Sequence, residues 1–379
     1  MIAIDTLLID RSPGETRVAV LAGDDVVEVH HHRNGEPGAG ALYRGRVGAP
    51  LPDASSVFVE ISLERPAFMP CGGRPPPEGQ EVNVKIVQPP HGDKGAKVRL
   101  ADAKQLAKSD IPTGPGLITP AQHIIAWCVE TYAQTLTHVV LASPDRDGTV
   151  NAMLSSALSI SNWTARDDLF DYYAVEEAIE RALAPVVPFH GGGKLIIEPT
   201  AAFTAVDIDA GPMPAGEANL AAISKLAEEL RLRAVAGPII VDLIPSRGRT
   251  AVVEKLKQLV ARDPVPTQVA GLTPEGRIEL NRRRLRPSLA HYFLASPNAS
   301  EPTVDSVAYT ALRRCVHQGL VENATRLTLK AHADVIALLQ GRLRSALDEA
   351  ESTLKMPITL ESASGSLKGW PKSKFDIET

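Results

Sequence analysis

Ala201–Gly211 reads AAFTAVDIDAG, and Gly237–Ile244 reads GPIIVDLI. The first is a strand-like apolar run that brings two carboxylates, Asp207 and Asp209, to its end and stops at Gly-Pro. The second is wholly apolar up to Asp242. Between them Leu220, Ile223, Ala227 and Leu230 fall on one face of a helix, with Asn219 as the expected N-cap and Gly237-Pro238 as the stop. Strand, crossover helix and second strand occupy about the thirty residues of a βαβ unit. If the two strands are parallel neighbours, Asp207 and Asp242 both sit at their carboxyl ends, where open α/β sheets place ligands.

Towards the N-terminus, TLLID and TRVAVL flank the turn chemistry of RSPGE, and VVEVH adds a third strand. From Asn34 the chain changes to short strands separated by Gly and Pro: LYRGRV, SSVFVEI, PAFMP, QEVNVKIV and AKVRL. Five such strands fit a small barrel of the oligonucleotide-binding (OB) type. The Pro- and Gly-rich SDIPTGPGLITPAQ marks a boundary, after which HVVLAS reads as a strand and YYAVEEAIERAL as a helix. HGGGK reads as a hairpin turn leading into KLIIE, the partner of the opening stretch. TAVVEKLKQLVARD is a second amphipathic helix after Asp242, and beyond Pro302 a smaller unit alternates helices and strands.

Composition bounds what this arrangement can do. The 379 residues, 44% of them hydrophobic, exceed one average core and supply several domains. Lys+Arg 40 against Asp+Glu 45 gives a net charge of -5, so a nucleic-acid partner has to be held by local basic patches. Cys71, Cys128 and Cys315 are far apart and match no zinc spacing, which fits a reduced compartment. With no signal-like start and no apolar run of about 18 residues, the expectation is a soluble cytoplasmic protein with no membrane partner.

Two carboxylates at the end of a sheet, with arginines nearby in PSRGR and NRRRLRP, suit a hard divalent cation such as magnesium. The spacing alone equally describes a solvated strand edge or a helix cap. On the barrel, Tyr43, Phe58 and Phe68 lie beside Arg44, Arg46, Lys94 and Lys97, as in a base-stacking platform with a basic rim, although any of the rings can instead fill the barrel core. Arg282, Arg283 and Arg284 are either phosphate contacts or a solvated face. His30–His32, at a strand end, is expected to be a solvated edge rather than a metal site.

Taken in order, LYRGRV, VFVEISLERPAFMP, EGQEVNVKIV with GDKGAKVRL, LIIEPTAAFTAVDID, LAEELRLRAVAGPIIVDLI and IELNRRRLRPSL resemble the catalytic half of the bacterial ribonuclease E and G family. The resemblance implies an α/β (α+β multidomain) fold. It comprises an RNase H-like subdomain (1–33 and 116–185) interrupted by an OB-fold RNA-binding domain (34–102) with a linker (103–115). A DNase I-like catalytic subdomain (186–295) and a small C-terminal α+β domain (296–379) follow. It also implies an endoribonuclease that cuts single-stranded RNA in processing or decay, with Asp207 and Asp242 holding Mg2+ or, alternatively, Mn2+. Attack of water in line would leave a 5'-phosphate and a 3'-hydroxyl. Phe58, Phe68 and Lys94 match the family's RNA contacts in the barrel, and Tyr43, Arg44, Arg247, Arg249 and Arg282–Arg284 join them as candidate RNA-binding residues.

Three departures qualify this picture. Asp209 stands where the family usually has an orienting Asn. The segment before HVVLAS is too short for the family's 5'-monophosphate sensor, so cleavage is expected to be independent of the 5' end. HYFLASPNASEP replaces the zinc-linking cysteines, so no structural zinc and no zinc-linked oligomer is implied, while other oligomers stay compatible with the chain. The alternative reading is a catalytically weak or inactive RNA-binding member of the same family.

Overall fold

The computed structural model describes residues 3–51, 55–106, 110–145, 147–296, 299, 301–363 and 374–379. Residues 107–109 of the expected linker, and 297, 298 and 300 of the segment replacing the zinc cysteines, lie outside these. The chain divides into two compact units, one made of 1–34, 124–283 and 288–379, the other of 35–123 and 284–287.

The first unit begins with a meander, β1 (Thr6–Ser12), β2 (Glu15–Ala22) and β3 (Asp25–Arg33). The chain then forms the second unit, from β4 (Leu42–Pro50), β5 (Ser56–Glu60), β6 (Ala67–Pro70), β7 (Glu81–Gln88) and β8 (Lys97–Leu100). These pair in the order β4-β5-β6-β8-β7, and β7 returns to β4, which closes a five-stranded barrel with the OB strand order. Alternation does the sorting: Val57, Val59, Ala67, Met69, Val82, Val84, Ile86 and Val98 fill the interior while their neighbours face out. Tyr43 belongs to that interior. A short helix α1 (Ala103–Leu106) leads to β9 (Gly116–Thr119), which pairs with β4, so the stretch expected to resume the first subdomain at 116 begins with a strand of the barrel sheet.

Back in the first unit, α2 (Ile124–Thr131), β10 (His138–Leu141) and β11 (Ser159–Asn162) complete a sheet of order β11-β10-β1-β2-β3. Helices α3 (Leu169–Tyr172) and α4 (Val175–Leu183) pack Phe170, Val175 and Ile179 against Leu8, Ala19 and Val29 of that sheet. His30 and His31 are buried here, which corrects the expectation of a solvated edge. His30 Nε2 lies 2.7 Å from Glu28, and His31 Nδ1 lies 3.1 Å from Glu15, with its ring against Tyr292 and Phe293. The strand end that looked free is covered by residues more than 90 positions away.

Next come β12 (Val186–Pro188), β13 (Lys194–Pro199), β14 (Thr204–Asp209), α5 (Ala215–Leu232), β15 (Gly237–Asp242), α6 (Arg249–Val260), β16 (Thr267–Leu272) and β17 (Arg277–Arg282). They build a second sheet of order β12-β13-β14-β15-β17-β16, in which β14 and β15 are parallel. Helices α5 and α6 cover one face, burying Ala222, Ile223, Leu226, Val252, Val253 and Leu256 against Leu195, Ile197, Val206, Val241, Ile278 and Leu280. After α7 (Leu289–Phe293), the C-terminal α8 (Val304–Val321), β18 (Thr328–His332), α9 (Ala333–Gln340), α10 (Arg344–Leu354), β19 (Thr359–Ala363) and β20 (Phe375–Glu378) enclose their own core around Leu312, Leu329 and Leu347. No helix among the described residues is long and apolar enough to cross a membrane.

Candidate functional site

The second sheet buries one face under its helices, and alternation turns the next residues to the other. In β14, Thr204, Val206 and Ile208 are buried while Asp207 and Asp209 are exposed; in β15, Ile239 and Val241 are buried while Asp242 is exposed. The parallel register sets Val206 opposite Val241, so Asp207 and Asp242 are the next residues of adjacent strands on one uncovered face. Both stand at the carboxyl ends of their strands.

Two cations border these acids. Arg277, opposite Asp242 on β17, places Nε 3.5 Å from its carboxylate. Lys194, opposite Asp209 on β13, places Nζ 3.2 Å from the other end of the acidic row. The Gly211 backbone N–H donates to Asp209 at 2.9 Å, and this bond, helped by Lys194, lowers the Asp209 pKa.

The loop that follows Asp242 is fixed from below. Asn219 is not the N-cap of α5, because the helix begins at Ala215 with Pro214 as its N-cap. Asn219 is instead fully buried; its Nδ2 donates to the Ile244 carbonyl at 2.8 Å and to Ser246 Oγ at 3.1 Å, and its Oδ1 accepts from the Ile244 N–H at 3.1 Å. The loop carries Arg247, exposed, and leads to Arg249 at the start of α6. The Arg249 guanidinium lies against the β16–β17 turn, beside Gly276, whose φ of +87° favours glycine. Among the described residues no group of three or more His, Cys, Asp or Glu side chains is arranged to hold a metal.

The remaining arginines separate. Arg282 follows Ile278 and Leu280 onto the helix-covered face, where it is buried, donates to Asp263 at 2.8 Å and to the Val235 carbonyl at 2.9 Å, and serves the core rather than the open face. Arg283 is exposed. Arg284 belongs to the barrel unit, half-buried with Nη1 3.5 Å from His91 Nδ1, and burial lowers its pKa.

On the barrel, Phe58 and Phe68 face outward as register partners, their rings edge to face with centroids 6.0 Å apart and Phe58 42% exposed. Lys97 is the next partner of Phe68 across β8. Lys94 is exposed in a tight turn closed by reciprocal backbone bonds with His91, both 3.0 Å. Gly95 makes that turn possible, since a Cβ there would meet the Pro66 carbonyl oxygen at 2.1 Å. Tyr43 faces the interior and is unavailable for stacking, and Arg44 is ion-paired with Glu81. Sequence reasoning missed Arg277, Lys194 and Asn219. The alternating RIELNR did carry a signal, because it puts Arg277 on the face opposite Ile278.

The profile described as Ribonuclease E/G family matches residues 98–285, a span that contains Asp207, Asp209 and Asp242. Ribonuclease G of Escherichia coli (strain K12) is 25% identical over 460 aligned positions, covering 91% of this chain and 94% of that protein. The chain belongs to the ribonuclease E/G family. Ribonuclease E of the same strain is 24% identical over 89% of this chain and 43% of its own length. The chloroplastic ribonuclease E/G-like protein of Arabidopsis thaliana is 31% identical over 52% of this chain and 22% of its own. The alignment with ribonuclease G runs over 460 positions, gaps included, while this chain has 379 residues, so this member of the ribonuclease E/G family is shorter within the aligned span.

Proposed function

We propose that this protein is a cytoplasmic endoribonuclease that cleaves single-stranded RNA by metal-assisted hydrolysis. The observation that carries the reading is the pair Asp207 and Asp242, exposed and each next after the registered residues Val206 and Val241 of two parallel neighbouring strands. Two exposed carboxylates suit magnesium, or manganese in its place, since such ions keep several waters and take substrate phosphate oxygens. Asp207 and Asp242 would hold the ion, which when bound supplies charge stabilisation on the phosphodiester and an acidified water.

The chain's own groups do the rest. Asp209, held ionised by Gly211 and Lys194, is a weak proton acceptor, so its part is to orient water with a remaining lone pair. Asn219 keeps the loop beyond Asp242 in place. Phe58 and Phe68 offer stacking faces to unpaired bases, and Lys94 and Lys97 meet phosphates. The short segment before HVVLAS, with no room for a sensor of 5'-monophosphate ends, supports cleavage that does not depend on the 5' end.

The test is cleavage of a labelled single-stranded RNA by wild type and by Asp207→Asn and Asp242→Asn proteins, with magnesium or EDTA. Cutting should need magnesium and fall about a hundred- to a thousandfold in either variant. RNA that binds but stays intact with magnesium would identify an inactive binding protein. Matched 5'-monophosphate and 5'-hydroxyl substrates should be cut at similar rates, and a strong preference for the monophosphate would refute independence from the 5' end.

A further inference from the structure

The open face poses an electrostatic difficulty: a chain of net charge -5 presents three carboxylates, Asp207, Asp209 and Asp242, where a polyanion has to approach. Its register supplies the answer. Asp207 and Asp242 each follow the registered pair Val206 and Val241, Arg277 of β17 lies opposite Asp242, and Lys194 of β13 lies opposite Asp209. A cation therefore stands on each side of the acids. Both ion pairs are exposed, 51% and 58% for Arg277 and Asp242, 47% and 48% for Lys194 and Asp209. Pairs this wet add little to stability and exchange partners readily. A cation held only as a counter-ion needs no such position, whereas one beside a carboxylate that takes up a metal ion is released on the same face that receives phosphate.

We infer that Arg277 and Lys194 contact substrate phosphates on either side of the carboxylate pair, leaving Asp242 and Asp209 as RNA arrives. Arg277 offers a planar fork to two phosphate oxygens and Lys194 a mobile point charge. The inference rests on the nuclease reading of this face and names the residues through which it recruits RNA.

Binding of a labelled single-stranded RNA is measured against salt concentration in calcium, with recovery of intact RNA checked after each titration. Arg277→Gln and Lys194→Gln should each flatten the plot of log K against log salt by about 0.7, and the double variant by about 1.4. Arg277→Lys and Lys194→Arg should retain the wild-type slope. Lys257→Gln, which removes a cation paired with Glu254 on α6, should leave the slope unchanged. In the absence of RNA, Arg277→Gln should bind manganese about three- to fivefold more tightly than wild type, because a competing cation is gone; this sign is opposite to the effect on RNA. Unchanged slopes in the two Gln variants overturn the inference whatever the metal titration gives. A flattened slope in a protein that neither binds manganese nor cuts RNA keeps the phosphate contacts and removes the nuclease reading instead.

Discussion

Glu15 and Glu28 on the first sheet are buried and surrounded. Glu15 meets His31 at 3.1 Å, Arg33 at 2.9 Å and Arg313 at 2.8 Å, while Glu28 meets His30 at 2.7 Å, the Tyr132 hydroxyl at 2.6 Å and Arg231 at 2.5 Å. Asp242 on the second sheet is exposed, with Arg277 beside it at 3.5 Å. The first arrangement is forced by desolvation: a carboxylate taken out of water must have its lone pairs met by protein groups. The second leaves those lone pairs to water, and so to anything that can replace water. Saturated acids fix the fold, and wet acids on a rigid sheet remain available for chemistry.

Removing a saturated acid should have the largest effect. Glu15→Ala takes the buried carboxylate away from Arg33, Arg313 and His31 and should lower the unfolding free energy by about 3–5 kcal/mol in urea denaturation, with cleavage per folded molecule little changed. The same cluster sets the acid limit. Burial would raise the Glu15 carboxyl, but His31, Arg33 and Arg313 hold it well below 4.5, and burial lowers the His31 pKa below 6.5. Both groups bind protons more readily when unfolded, so stability should decline as pH falls below about 6.5 and more steeply below about 4.5. A wild-type denaturation midpoint flat from pH 7 to 4 would contradict the cluster's role.

Asp242→Asn should show the reverse split, with cleavage down about a hundred- to a thousandfold and a denaturation midpoint close to wild type. If the midpoint falls as far as in Glu15→Ala, the contrast between the two regions fails. Asn219→Ala lies between them: three hydrogen bonds to one loop are lost from a buried position, which should cost about 1–3 kcal/mol and also weaken manganese binding measured without RNA. The smallest effect belongs to Asp209→Asn. It removes an exposed charge but keeps an oxygen for the Gly211 N–H, so stability should not change measurably, and cleavage only a few-fold.

The βαβ unit was legible because its signals are local: apolar runs, a helical stripe and acids where the strands stop. The parallel pairing of β14 and β15 agrees with that reading, as does the barrel that the five short strands form, while their pairing order comes from the structure alone. What escaped depends on faces and cover. Tyr43 and Phe58 look alike as aromatic residues on short strands, yet register turns one inward and the other out. Arg282 lies in a basic run, but the alternation of Ile278 and Leu280 carries it into the core, a signal present in the sequence and outweighed by its neighbours' charge. His30 and His31 are buried by Trp127, Tyr292 and Phe293, residues distant along the chain that no local pattern announces.

The pairing of β9 with β4 has a consequence for how such a chain can be altered. Leu42 lies opposite Thr119, so the strand that opens the barrel and the strand that leaves it are hydrogen-bonded neighbours. A segment with adjacent entry and exit is topologically a cassette, whose length and contents can change without forcing the flanking chain ends apart. The barrel is therefore a natural place for grafting: a different single-strand-binding surface could be built between the same two strands, provided that it keeps the contacts of residues 284–287.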